Sequence, residues 1–428
     1  MERVESIENL APEAPDNREK RNVIAGIIIR FAVTGLGFLS SILTARALGV
    51  SGRGVYFTAM TFSQIAIQFG NMGLQSSNTY YVAKDTNRLG VLVGNSLWIS
   101  LLVGGLGTAL YALYSQWQHS IALDSYLMWL TVLFVAPNIF YMLGTNLLVG
   151  VGKLEQYNGY TLFYNLLNVG LNVVVFLKKG SLADFLWASV FGGWIPAIAL
   201  LVTLQRLSQS RLRFDLSVFR EGFSYALKAY VATGLDRLIT SQPILLLKQV
   251  APDSVLGHMS IASQLGDVLI ILPNTVSTFL FPRLVRSKKG RWEQMLQTLL
   301  GIGIVFMVLC LIAIPTVPIF IQLAFRAEYL GAVPYFLYRL PGVFFLGLIS
   351  VVSQYLSAMG FPRSQLLVWG AGYGITLLLT HFLIPTQLGV GAAIAFSGTY
   401  GILFLMIFSL AWLYHKRTLK HQSENRKL

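Results

Sequence analysis

Apolar positions in this chain gather into long runs, and polar positions fall either between the runs or in stripes along them. Twelve runs are long enough to cross a bilayer: 22–44, 54–77, 91–114, 125–148, 157–177, 182–205, 222–247, 257–281, 295–320, 333–358, 364–385 and 388–414. A spanning helix needs roughly 20 mostly apolar residues, because no water is present in hydrocarbon to satisfy its backbone. The intervening segments are short and leave no room for a soluble catalytic or nucleotide-binding domain. The pattern predicts an all-α integral membrane protein of about twelve transmembrane helices.

The polar stripes are regular. Gln64, Gln68, Asn71, Gln75 and Asn78 share one arc of the second span at about 100° per residue. Ser260, Gln264, Asp267, Asn274 and Thr278 do so on the eighth, and Asn158, Thr161, Asn165, Asn168 and Asn172 on the fifth. A shift of 203 residues lays Gln64 on Asp267 and Asn71 on Asn274, and a shift of 208 lays the fifth span's stripe on Trp369, Tyr373, Thr376 and Thr380 of the eleventh.

Local echoes agree with these shifts. Phe31-Ala-Val-Thr-Gly-Leu36 is matched by Tyr230-Val-Ala-Thr-Gly-Leu235, and Leu147-Leu-Val-Gly-Val-Gly152 by Tyr355-Leu-Ser-Ala-Met-Gly360. The turn into Gly54 is matched by Ala251-Pro-Asp-Ser254 leading to Gly257. Six spans per half is an even number, so the halves are expected to be parallel repeats about an axis normal to the membrane. The expected division is a tail over 1–21, a first bundle over 22–206, a basic linker over 207–221, a second bundle over 222–414 and a basic tail over 415–428. Amide faces on four helices are costly against lipid and are expected to line a wet cavity between the bundles.

Composition sharpens this picture. Apolar residues make up 55% of the chain and charged ones 12%, which does not fit a soluble fold. The net charge of +14 would suggest nucleic acid in a soluble protein, but the 32 Lys and Arg residues are sorted by side. If the N-terminus is inside, the opposite side holds only Arg46, Arg53, Lys178, Lys179, Lys248 and Arg326. The positive-inside rule then puts both termini in the cytoplasm, with membrane lipid rather than nucleic acid as the partner. The first 21 residues lack an apolar core and a small-residue cleavage site, so the first span is expected to be an uncleaved anchor.

Six charges fall at membrane depth: Arg30, Lys228, Asp236, Arg237, Asp267 and Arg339. Each costs roughly 2.5–3.5 kcal/mol at a helix centre, which makes idle ones improbable. Four cations against two anions suit an anionic cargo, and the guanidinium suits phosphate oxygens. Pro137, Pro196, Pro243, Pro273, Pro315 and Pro341 interrupt spans and supply kinks. Gly150-Val-Gly-Lys153 lacks the upstream glycine and the Ser or Thr of a phosphate-binding loop and reads as a turn. His381 reads as a packed or interfacial residue, and the lone Cys310 as lipid-facing or packed filler. Five His and one Cys offer no metal-ligand spacing. No cofactor and no enzymatic activity are expected.

The run Asp236-Arg237-Leu-Ile, then Leu246, Ala251-Pro-Asp-Ser254, Gly257, Ala262 and Leu280-Phe-Pro-Arg283, resembles the second-half pattern of polysaccharide and O-antigen flippases. Ala45-Arg-Ala-Leu-Gly-Val-Ser-Gly-Arg-Gly-Val-Tyr56 is similar to that family's first-half turn. The resemblance implies the multidrug/oligosaccharidyl-lipid/polysaccharide exporter fold, with two six-helix bundles in a V and alternating access. It implies a polyprenyl-pyrophosphate-linked oligosaccharide as cargo, its lipid tail left in the bilayer at a lateral gate, and other polysaccharide-assembly proteins as possible partners. Arg30, Lys228 and Arg237 are then the pyrophosphate candidates, Gln68, Asn71, Gln75, Asn165 and Asn168 suit sugar hydroxyls, and Asp236 and Asp267 are candidates for coupling or ion pairing. The chain departs from lipid II flippases in lacking a thirteenth and a fourteenth helix. A multidrug and toxin exporter of the same fold is the alternative, although bases outnumber acids at depth. A membrane polysaccharide polymerase or ligase would need a larger outer loop, and a glycosyltransferase a cytoplasmic sugar-nucleotide site.

Overall fold

The computed structural model describes residues 17–117, 124–208, 212–287, 290–360 and 362–424, and these form helices and turns without strands. Helix α1 (Asn17–Gly70) holds two spans. Gly49, at φ 64° and ψ −178°, turns the chain between them, a conformation that a Cβ would resist. The second arm of α1 stops at Gly70 and resumes after Gly73 as α2 (Leu74–Lys84). Helix α3 (Leu89–Trp117) follows, then α4 (Ser125–Leu133) and α5 (Val135–Gly150), which form one span interrupted at Phe134. The first half closes with α6 (Leu154–Leu177) and α7 (Leu182–Ser208).

The second half comprises α8 (Leu216–Val250), α9 (Asp253–Arg286), α10 (Arg291–Phe325), α11 (Ala332–Ala358) and α12 (Arg363–Glu424). Like α1, α12 holds two spans, turned here at Leu388, and Thr376 on one arm donates to Thr399 on the other at 3.2 Å. Each of the twelve expected spans therefore falls on a helix. Among the described residues, nine stretches are long and apolar enough to cross a membrane, and the double-span α1 and α12 are two of them. Helix α8, which carries Arg220, Glu221, Lys228, Asp236, Arg237 and Lys248, is not in that set.

Phe306, Phe325, Tyr329, Phe336, Tyr355 and Tyr400 lie in one apolar core, which also takes in Ala45 of α1, and Leu147, Leu148, Leu200 and Leu204 lie in another. Prolines sit inside α7, α8, α9, α10, α11 and α12. The echoed turns after α5 and α11 share their geometry, since Gly152 and Gly360 both take positive φ, 75° and 94°. Gly150-Val-Gly-Lys153 is the turn expected of it.

The turns alternate between two faces. One, here the Gly49 face, carries the α1 turn, the α6–α7 turn, Ala251–Pro252 and the turn at Leu388; the other, here the linker face, carries the described linker residues 212–215. On the Gly49 face the halves meet through two glycines. A Cβ on Gly54 would lie 1.9 Å from the carbonyl oxygen of Asp253, and one on Gly257 would lie 2.0 Å from that of Val50. Each glycine thus touches the carbonyl four residues before the other, and the 203-residue shift exchanges the two contacts. Small residues let helix backbones approach this closely.

Candidate functional site

Below that seam lies the set of groups that the sequence places at depth. Arg237 on α8 donates to Gln64 on the second arm of α1, so a guanidinium reaches from one half to a neutral amide of the other. Gln64 is exposed and Arg237 half-buried. One turn of α1 further along, Gln68 donates to Thr233 on α8 at 3.3 Å. Across from them Asp267 on α9 is exposed and lies within electrostatic reach of both Arg237 and Arg339. Asn274 and Thr278 continue the same face of α9 toward the linker face and are also exposed. Gln64, Asp267, Asn274 and Thr278 thus form an exposed polar set below the close glycine contact at the Gly49 face. On the α2 side Gly73 packs on Tyr230 and Ala226, and Arg88 pairs with Glu221 at 3.1 Å.

The charges at depth do not neutralise one another directly. Among the described residues, ion pairs within 4 Å involve Arg88 with Asp85 and Glu221, and Lys248 with Asp253, all near helix ends. Asp236 points into the second half, where Tyr400 donates to it at 3.1 Å. Arg339 is 9% exposed, lies 3.6 Å above the Phe396 ring, and its Nε has no hydrogen-bond partner among the described residues. The side chains of Arg30 and Lys228 lie outside the described residues, which fix only the positions of these two cations along α1 and α8.

Other expected site residues are engaged elsewhere. Asn71 is fully buried: its amide donates to the carbonyls of Ile67 and Gln68, and its oxygen accepts from Gly73 N at 2.8 Å, which caps the break between α1 and α2. Gln75 is half-buried on α2, and Asn78 is buried and donates to Ser96 within the first half. Asn165 donates to the Thr161 carbonyl. Asn168 donates to the carbonyls of Tyr164 and Gly192, and Asn172 to Ser40. The α6 stripe therefore packs against α7 and the first arm of α1. The α12 stripe likewise turns inward, since Thr380 donates to Gln242 of α8 and Thr376 to Thr399. The amides of α6 and the hydroxyls of α12 are thus engaged between packed helices, because helix periodicity shows that a face is polar but not what covers it. Cys310 is buried packing, and His381 is exposed beside Phe382.

One residue counted as a simple loop charge in the sequence belongs to this region. Arg53 is 8% exposed at the seam, donating to Ser41 and Thr44 of the first arm of α1 and, at 3.2 Å, to Ser260 of α9. Ser41 in turn donates to Gln264, one turn of α9 from Asp267.

The paired bundles meeting at a polar seam are those of the V-shaped, all-helical exporter fold. The chain belongs to the family described as polysaccharide biosynthesis protein, which matches residues 20–288. It is 22% identical over 93% of its length to an uncharacterised membrane protein of Methanocaldococcus jannaschii, covering 84% of that protein. Among solved structures it is similar to the lipid II flippase MurJ in an inward closed conformation, with TM-score 0.76 at 15% identity, over 90% of this chain and 87% of that one. A multidrug resistance MATE family transporter in its inward-facing conformation superposes with TM-score 0.69 at 12% identity, over 91% and 99% of the two chains. The chain is thus a multi-pass membrane protein of the polysaccharide biosynthesis family.

Proposed function

We propose that this protein moves a polyprenyl-pyrophosphate-linked oligosaccharide, a repeat unit of a surface polysaccharide or O-antigen, across the cytoplasmic membrane by alternating access. Both termini are cytoplasmic in this reading, and the Gly49 face is external. The observation that supports it most directly is Arg237: a cation at membrane depth, facing the other half, bonded to a neutral amide rather than a carboxylate. A pyrophosphate entering from the linker face replaces that neutral acceptor with an anionic one, which neutralises the guanidinium and can take two parallel N–H bonds from it. Gln64, Gln68, Asn274 and Thr278 lie on the polar faces of α1 and α9 and offer hydroxyl-compatible hydrogen bonds for sugars. In this reading the polyprenyl tail stays in the bilayer at a lateral gate.

In this reading the close contact at the Gly49 face corresponds to the loading half of a transport cycle. Release requires the seam at Gly54 and Gly257 to part. The test is the double variant R30Q/R237Q in a cell that depends on this protein for its surface polysaccharide. Export is expected to stop while the protein remains inserted at its normal level. Full export by the double variant, or a loss traceable only to degradation, would strip Arg237 of its role in holding the pyrophosphate.

A further inference from the structure

Arg53 is unexplained by that polar set. It lies beyond Arg237 on the way to the Gly49 face, at the seam between α1 and α9, and is more than nine-tenths buried. Burying a guanidinium is costly unless an anion or a full set of acceptors replaces water. Among the described residues no carboxylate comes within 4 Å of it. Its partners are the hydroxyls of Ser41, Thr44 and Ser260, and it lies 5.5 Å from the Tyr56 ring centroid. These hydroxyls are donors as well, and all three now spend their hydrogens on other acceptors: Ser41 on Gln264, Thr44 on the carbonyls of Ser40 and Ser41, and Ser260 on the carbonyl of Gly257. A guanidinium ringed by hydroxyls is the donor set a phosphate group requires.

The set is also connected in both directions. Toward the exposed polar residues, Ser41 and Gln264 lead to Asp267 and then to Arg237. Toward the Gly49 face, Arg53 is the residue immediately before Gly54, which rests on the backbone of Asp253. Parting of the halves there would separate Arg53 and its two α1 hydroxyls from Ser260.

We propose that Arg53, with Ser41, Thr44 and Ser260, is a second anion station, sealed while the seam is closed and exposed when it opens, which receives the phosphate of the cargo after Arg237. This rests on the flippase reading above, and it makes transfer between two cations, rather than release from one, the step that carries the anion outward.

The experiment uses the full chain in lipid nanodiscs, with farnesyl pyrophosphate as the probe and direct titration as the readout. Gly257→Leu wedges the seam, because any Cβ there meets the Val50 carbonyl; Gly257→Ala takes its place if the larger side chain prevents folding. With Arg237 neutralised, the closed R237Q protein is expected to bind the probe weakly and the wedged R237Q/G257L protein to regain binding. Adding R53Q to the wedged protein is expected to lower affinity at least fivefold, and R53K to restore part of it. Thermal midpoints of the wedged pair control for folding.

An affinity drop smaller than fivefold on adding R53Q, or a wedge that restores no binding to R237Q, overturns the station. Wild-type affinity in R237Q alone overturns the role of Arg237 instead, and the comparison of wedged G257L with G257L/R53Q then decides Arg53 separately by the same fivefold criterion.

Discussion

At the scale of single residues, two positions separate structure from recognition. Asn71 belongs to the amide stripe read from the sequence, yet its amide and oxygen are used to cap a helix break in a fully buried place. Asn71→Ala leaves a buried backbone amide unsatisfied and is expected to cost about 1–3 kcal/mol of stability, with cargo affinity unchanged. Thermal unfolding in detergent beside a binding titration checks both halves of that statement. Arg326 is a different case, with φ 83° and ψ 164° and an exposed side chain. That backbone region is essentially reserved for glycine and holds a side chain at a cost of about 1–3 kcal/mol. Arg326→Gly is therefore expected to raise the thermal midpoint, by an amount equivalent to about 1 kcal/mol. Legibility at this scale was uneven. The cations and acids at depth stand out in the sequence because charge in an apolar run is conspicuous, whereas Arg53 hides in a glycine-rich turn where charge looks harmless.

Helices tell a clearer story, because an apolar run of spanning length must satisfy its own backbone and does so as a helix. All twelve spans could be read in the apolar runs, and the two junctions of the internal repeat, Gly152 and Gly360, take the same left-handed turn. What could not be read is which neighbour each polar face meets. The asparagines of α6 fall on one arc whether that arc borders water or the backbone of α7, and Asn168 lies against Gly192 so closely that a Cβ there would come within 2.3 Å of its oxygen. Gly192→Leu is expected to force α6 and α7 apart and destabilise the first half by about 1–3 kcal/mol, measured by thermal unfolding. Helix α8 poses a second element-scale question, since with its charged residues it is not among the stretches apolar enough to span alone. Lys248 near its end pairs with Asp253 at the start of α9. A segment holding only α8 is expected to fail to insert in a glycosylation-reporter assay, and the α8–α9 hairpin to insert.

Across the whole molecule, the seam decides which face is open. Gly54→Leu places a branched side chain against the Asp253 carbonyl and is expected to hold the halves apart at the Gly49 face. Spin labels on exposed Lys179 and Thr386, one in each half, should then give a longer mean distance by pulsed electron resonance than in the parent protein. An unchanged distance distribution would mean that the seam yields locally and does not govern opening. The repeat that relates Gln64 to Asp267 was visible as sequence register; that the same register also pairs two glycines with two carbonyls is a fact of three dimensions.

That pairing says something about ancestry. A glycine and the carbonyl four residues before it form a surface complementary to its own copy when turned by a two-fold rotation. A half-length forebear bearing one such patch would already have been able to dimerise, and gene duplication would only have needed to add a tether. In the fused chain that contact persists, and a side chain on either glycine would meet the opposing carbonyl.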